Sequence, residues 1–260
     1  MPNSTPPFQP VRVIKNQQLT PNMQRITLQG DCIGQFSEQD ASGYIKLLFH
    51  PNGGTDLSLL ADGERPILRT YTIRSVDLSN QSIDIDLVRH LSSDPADQGF
   101  ASPWAMNAQV GDVINIRGPG TLKPFALDAD WFFLVADMTA LPACSVVASR
   151  LPEHAKGYVL VQVESEADQQ PLQLPPAMEV IWLTSADSLA DTALSLPWLE
   201  GQASVWSACE FESMRQIRRY FRQQKQVPAE NSYISSYWKK GANEEMHKQI
   251  KKQEAEQLGL

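Results

Sequence analysis

The sequence predicts two folds in series: a six-stranded antiparallel β-barrel over residues 1–124, then a parallel-sheet α/β domain over residues 125–260. Two observations predict this. As far as Gly120, short strand-like segments follow one another with turn residues between them. From Phe125 onward, continuous apolar runs alternate with helix-like segments, as a sheet buried on both faces requires.

The elements follow in order. Residues 1–10, MPNSTPPFQP, are proline-rich and polar and read as an irregular leader. VRVIKN (11–16) and MQRITLQG (23–30) are strands joined by a turn at QQLTP. YIKLLFHP (44–51) closes on Asn-Gly-Gly, and ILRTYTIRSV (67–76) comes next. In SIDIDLVRH (82–90), Ile83, Ile85 and Leu87 alternate with Asp84, Asp86 and Val88, a strand with one apolar face. DVINIRGPG (112–120) is the sixth strand. Between the last two, GFASPWAMNAQVG (99–111) reads as a short helix with Ser102 as N-cap and Pro103 at the first helical position. GPGTLKPFALD (118–128) is the linker.

In the second half, DWFFLVADMTALPACSVVASRL is a buried strand running into an apolar helix. GYVLVQVES, MEVIWLTS and SVWSACE are further strands. FESMRQIRRYFRQQ has Met214, Ile217 and Phe221 at helical spacing, with Arg215, Arg218, Arg219 and Arg222 elsewhere on the wheel. NSYISSYWKKG is the last strand, and NEEMHKQIKKQEAEQ a closing helix capped by Asn243.

Composition narrows the function classes. The chain has 260 residues and a formal net charge of −8, which argues against general nucleic-acid binding. No apolar run is long enough for a membrane span, and the first residues lack a secretion signal, so a cytoplasmic protein with no membrane partner is expected. Cys32, Cys144 and Cys209, and His50, His90, His154 and His247, form no metal-ligand spacing. Redox chemistry would need an organic cofactor or a metal brought in by the substrate.

The stretch RTYTIR (69–74) asks for more than a core-filling strand. Arg69 can take a phosphate with two hydrogen bonds, the Tyr71 ring can cover a flat heterocycle, and Thr70 or Thr72 can reach a ring nitrogen. These are parts suited to a flavin nucleotide. Strand alternation puts Arg69, Tyr71 and Ile73 on one face and Thr70, Thr72 and Arg74 on the other, so edge or end placement is needed. Taken alone, the stretch is better explained by a barrel strand with Tyr71 in the core and Arg69 on the surface. The helix start at Gly99, Ala101 and Ser102 adds backbone amides for a phosphate, with Trp104 either beside an adenine or in the core.

RTYTIR, DLVRH followed by GFASPWA, ADMTALPA, WSACE and SYISSYWKKG, in that order over nearly the whole chain, resemble the siderophore-interacting protein family, a branch of the ferredoxin-reductase-like flavoproteins. The resemblance implies an FAD-binding barrel, a nicotinamide-nucleotide-binding α/β domain, and reduction of ferric siderophores. It implies that Arg69 meets the FAD phosphates and that Tyr71 and Thr72 lie by the isoalloxazine ring and tune it. Asp86, Val88 and His90 would line the flavin, and Gly99, Ala101, Ser102 and Trp104 would hold the pyrophosphate. Asp137 and Thr139 would sit at the nicotinamide pocket with Glu210 opposite. The family's basic cluster would correspond to Lys46, Lys123, Lys239 and Lys240, converging on an anionic ferric siderophore. Two positions depart from the pattern: Met138 replaces an acidic residue, and Cys209 replaces a glycine. Met138 reads as a loop or core residue and Cys209 as an inert buried thiol.

The implied reaction takes electrons from NADH or NADPH through FAD to Fe(III), which leaves as Fe(II). The residues do not choose between the two nucleotides. Two further readings stay open. One is a flavin reductase fed by ferredoxin or serving another acceptor. The other is a module that binds ferric siderophore without turnover. Nothing calls for an oligomer, so a monomer is expected.

Overall fold

The computed structural model describes residues 8–90, 99–123 and 125–258. The chain separates into two compact units, Met1–Leu122 and Lys123–Leu260. Among the described residues no helix is long and apolar enough to cross a membrane.

In the first unit, β1 (Gln9–Thr20), β2 (Met23–Gln29), β3 (Tyr44–Phe49), β4 (Ile67–Asp77), β5 (Ser82–Val88) and β6 (Val113–Gly120) close into a barrel in the order β1-β2-β5-β4-β3-β6. Every neighbouring pair is antiparallel. The period-two pattern sets the register. Ile83 and Ile85 stand opposite Leu28 and Ile26, and all four are buried in one core with Val13, Ile45, Leu47 and Ile116. Truncating such a residue to alanine costs about 2–5 kcal/mol.

Three expectations are corrected here. First, β1 continues through Gln17–Thr20 rather than turning there, because these residues still pair with β2. The turn falls at Pro21 and Asn22. Second, β1 begins at Gln9, so only residues 1–7 of the expected leader fall outside the described residues. Third, Ser102 is not a helix cap. The helix α1 (Ala101–Asn107) starts two residues earlier, after Phe100, and the Ser102 hydroxyl instead accepts the His90 backbone N–H at 2.8 Å. Pro103 then sits third in the helix, where an absent N–H costs nothing.

Two local features shape the barrel. Gly120 faces Tyr44 across β3–β6, and a Cβ there would run into the tyrosine ring. The β4–β5 ladder carries a bulge: Ile73 pairs with Ile85, but the next pair is Ser75 with Asp84, so Arg74 is an extra residue. A bulge places two successive side chains on one side of the strand. Ile73 and Val76 therefore both reach the core, while Arg74 and Ser75 are left on the outer face.

The second unit is a five-stranded parallel sheet: β7 (Trp131–Asp137), β8 (Lys156–Gln162), β9 (Ala177–Leu183), β10 (Ala203–Glu210) and β11 (Ser232–Trp238). The strand order is β11-β10-β7-β8-β9. Strand β7 is buried along its whole length, which accounts for its unbroken apolar run. The helices are α2 (Leu141–Ser149), α3 (Leu189–Ser195), α4 (Phe211–Arg219) and α5 (Glu244–Leu258). Met214, Ile217 and Phe221 lie in the core as their spacing requires, although a π-turn at Tyr220–Gln224 ends α4. Asn243 caps α5 through its side-chain oxygen, which accepts the Met246 N–H at 2.9 Å. Helix α3 went unread in the sequence because it is only seven residues long; Ser188 caps it.

Candidate functional site

On the first unit, the outer face of β2, β5 and β4 gathers the polar side chains that alternate with the core. Arg25 Nε and Nη2 donate to the two Asp86 carboxylate oxygens at 2.6 and 2.7 Å. The hydrogen bond and the Asp86 charge raise the Arg25 pKa despite burial. Thr27 and Ser75 hydroxyls donate to the two oxygens of Asp84 at 2.7 and 3.0 Å. Thr72 lies on this face and is buried. Tyr71 points the other way, half-buried against the barrel core. The structure thus does not bring Tyr71 and Thr72 onto one face of β4; Tyr71 shares its side with Ile73, as alternation demands.

Arg69 is half-buried, donates Nη1 to the Leu68 carbonyl at 2.7 Å, and lies over the Phe100 ring at 5.6 Å. Phe100 in turn stacks on Phe49 at 6.3 Å, so the barrel's end aromatics hold the guanidinium beside the start of α1. Gly99 has φ +63°, the left-handed region, and an added Cβ would meet nothing within 4 Å, so the loop is open to a close approach there. Ala101 and Ser102 are buried, so backbone N–H groups are what they can offer. The Trp104 ring packs edge-on to Phe49 at 6.0 Å, within the core cluster. Val88 is half-buried beside Asp86, and His90 is exposed. A guanidinium, an open glycine turn and a hydroxyl-bearing strand face form a donor set that fits a phosphate-bearing heteroaromatic group.

On the second unit the strand order reverses between β7 and β10, and the crevice at the carboxyl ends of those strands is where open α/β sheets bind ligands. Asp137 ends β7 there. Its Oδ1 accepts the Thr139 hydroxyl at 2.6 Å and the Thr139 N–H at 2.9 Å, and its Oδ2 accepts Trp238 Nε1–H at 2.7 Å. Burial nevertheless raises the Asp137 pKa above the usual carboxylate range. Glu210 ends β10 and caps α4, accepting the Glu212 N–H at 2.6 Å, and its other oxygen accepts the Lys240 N–H at 3.2 Å. Sequence reasoning used the YWKKG stretch as a marker and passed over Trp238, whose ring is 39% exposed while its N–H is fixed.

Met138 and Cys209 are both buried, and burial holds the Cys209 thiol well above its ordinary pKa. Cys144, equally buried, is pushed up to about 12. Neither thiol is set up as a nucleophile. No group of three His, Cys, Asp or Glu side chains able to hold a metal ion occurs among the described residues.

Of the four lysines, Lys46 donates to the Thr70 hydroxyl at 2.9 Å and lies 5.7 Å from the Tyr44 ring centre. Lys239 pairs with Glu212 at 2.8 Å, over the Phe211 ring. Lys123 and Lys240 are exposed. Among the helix arginines, Arg215 and Arg218 share Glu254 of α5, at 3.1 and 2.9 Å.

The carboxyl edges of β8 and β9 are tied together: Gln162 Nε2 donates to the Asp187 and Thr184 carbonyls at 2.7 and 3.3 Å. The loops beyond them carry Glu164, Glu166 and Asp187, and no lysine, arginine or histidine occurs anywhere from residue 157 to 214.

Comparison with known proteins bears on both units. The family described as "Siderophore-interacting FAD-binding domain" matches residues 12–122, and "Siderophore-interacting protein" matches residues 129–241. An uncharacterized protein of Mycobacterium tuberculosis, Rv2895c, is 32% identical, with 96% of each chain covered. The ferric vibriobactin reductase ViuB of Vibrio cholerae is 29% identical, with 90% of each covered. The crystal structure of the siderophore-interacting protein SipS from Aeromonas hydrophila superimposes with a TM-score of 0.79 at 29% identity, covering 94% of this chain and 96% of that one.

Proposed function

This chain belongs to the siderophore-interacting protein family, and from that membership we propose that it is a flavin-dependent reductase that releases iron from ferric siderophores as Fe(II). One combination carries the reading. A closed barrel bears Arg69 and Thr72 on β4, and a parallel sheet opens its switch point beside Asp137 and Glu210. A relative matched over 90% of each chain is named a ferric reductase.

Bound FAD would take two electrons from a nicotinamide and pass them singly to Fe(III). The residues supply the rest. Arg69 binds the FAD phosphates together with the backbone N–H groups at Gly99–Ser102. Thr72 presents its hydroxyl to the ring, while Tyr71, on the opposite side of β4, packs against the barrel core. Asp86, fixed by Arg25, holds the β5 edge of that face, with Val88 and His90 continuing it. Asp137, Thr139 and Glu210 position the nicotinamide end of the donor through the loops that they brace. Lys46 is the strongest of the lysines as a contact for an anionic siderophore; Lys123, Lys239 and Lys240 belong to the second unit. Fe(II) then leaves because hard siderophore oxygens hold it more weakly than Fe(III).

The reading takes NADH as the donor. An acidic side chain past the second strand of such a sheet suits a free ribose 2′-hydroxyl, whereas a 2′-phosphate calls for an arginine nearby. Glu164 stands in that place, within a stretch that carries no cation.

An anaerobic visible spectrum tests the reading. A yellow protein bleached by NADH and recoloured by a ferric siderophore, with Fe(II) appearing in a chelator trap, supports it. A yellow protein that no nicotinamide bleaches points to ferredoxin as donor. A chain that takes no FAD on reconstitution leaves the siderophore-binding module. Arg69→Ala should purify with little flavin, and full FAD retention would overturn that residue's role. Lys46→Ala should weaken siderophore binding and leave flavin content unchanged.

A further inference from the structure

The outer face of β2, β5 and β4 carries two carboxylates and two guanidiniums, and their bonds can be counted. Both oxygens of Asp86 are taken by Arg25. Both oxygens of Asp84 are taken by the Thr27 and Ser75 hydroxyls. Arg74 is what remains. Its guanidinium is half-buried and makes no hydrogen bond or ion pair with the described residues. Its neighbours are Arg25, Asp86 and Asp84. Burial is the largest influence on it and the Arg25 charge the next, and both lower its pKa, while the Asp86 and Asp84 charges restrain the fall. The Asp84 and Asp86 charges offset part of the cost of a half-buried cation beside a second one, but the hydrogen bonds of both carboxylates go to other groups and none goes to Arg74.

The backbone accounts for its position. Without the bulge, Ser75 would face the core; with it, Arg74 and Ser75 both stand on the outer face, two residues beyond Thr72. Bulges recur beside active sites because they re-aim a side chain.

We propose that Arg74 is a cofactor-facing cation, kept unpaired so that its charge acts on the flavin bound at this face. The inference rests on the FAD reading above and deepens it. Two electrons and one proton entering an isoalloxazine ring leave one net negative charge, spread over N1 and C2=O. Arg74 would stabilise that charge through a poorly screened path, making the oxidised ring the better electron acceptor. Arg25 cannot serve in the same way, because Asp86 already neutralises it.

Sulfite reads this directly. It adds to flavin N5 through a new N–S bond, and the displaced electron pair resides on N1, so adduct affinity reports positive charge near the ring without turnover. In FAD-loaded protein, Arg74→Gln and Arg74→Met should each bind sulfite at least tenfold more weakly. The midpoint potential should fall with it; tenfold corresponds to about 30 mV for a two-electron couple. Arg74→Lys, which keeps the charge, should stay within threefold of the parent. Equal sulfite affinity and equal potential in the parent and in whichever neutral variant folds, at equal FAD content, would overturn the proposal. A parent chain that binds no FAD would instead overturn the cofactor reading itself.

Discussion

Trp238 and Asp137 lie 101 residues apart in sequence, yet the indole N–H of one is bonded to the carboxylate of the other at 2.7 Å. The bond joins the last residue of an edge-strand run to the last residue of the central strand, across the crevice where the strand order turns back.

Removing that donor should move Asp137 further from a normal carboxylate. Its pKa is already raised by burial, and hydrogen bonds from Thr139 and Trp238 restrain the rise. Trp238→Phe should therefore raise it again. A folded-state pKa above the unfolded one means the native state binds the extra proton, so this group's contribution falls as pH rises from about 4. The side-chain carboxyl resonance of Asp137, followed by NMR over pH 3–8, should titrate at higher pH in the variant. An unchanged midpoint would mean the bond is not made in solution.

His247 gives the opposite pH dependence. It is buried on α5, with Nε2 2.8 Å from the Ser236 hydroxyl. Burial first, then the Lys251 charge, lowers its pKa to about 4. The unfolded chain then binds the proton first, so stability falls as pH drops from about 6.5 to about 4, by about 3 kcal/mol at most. Urea midpoints measured across that range should decline in the parent, and His247→Gln should flatten the decline. Equal slopes in both proteins would remove His247 as the cause.

The Arg25–Asp86 pair should be worth more to break than to replace. Arg25→Ala strips the buried Asp86 carboxylate of both its charged hydrogen bonds and leaves only the Arg74 charge nearby, at a cost of up to about 3 kcal/mol. Arg25→Lys restores charge without the two-pronged geometry and should recover only part of it. Thermal midpoints of the three proteins should rank parent, Lys, Ala; a lysine variant as stable as the parent would show that charge alone suffices.

Donor choice should follow Glu164. NADH should exceed NADPH in kcat/KM by at least about tenfold, equivalent to about 1.4 kcal/mol. Glu164→Arg should narrow the gap mainly through the NADPH KM. Equal use of both nucleotides by the parent would mean that a cation from outside residues 157–214 reaches the 2′-phosphate.

Much of the fold could be read along the chain because it depends on period. Ile83, Ile85 and Leu87 announced a one-faced strand, the WFFLVA run a strand buried on both faces, and Asn243 its own helix cap. Arg69 was marked by its residue type, whereas its seat over Phe100 comes from the fold. Other features depend on which distant segments become neighbours. Asp86 and Arg25 are 61 residues apart and meet only through the β2–β5 register. The bulge that exposes Arg74 arises from a mismatch between two strands, and neither strand's own pattern contains it.

The sequence by itself thus determined the order and type of the elements, because side-chain alternation and capping act over a few residues. Only the tertiary structure decided which charges are neutralised and which are left over. Pairing is a property of the barrel's register and of the sheet's strand order. It left Arg25 matched to Asp86, and Arg74 without a partner among the described residues.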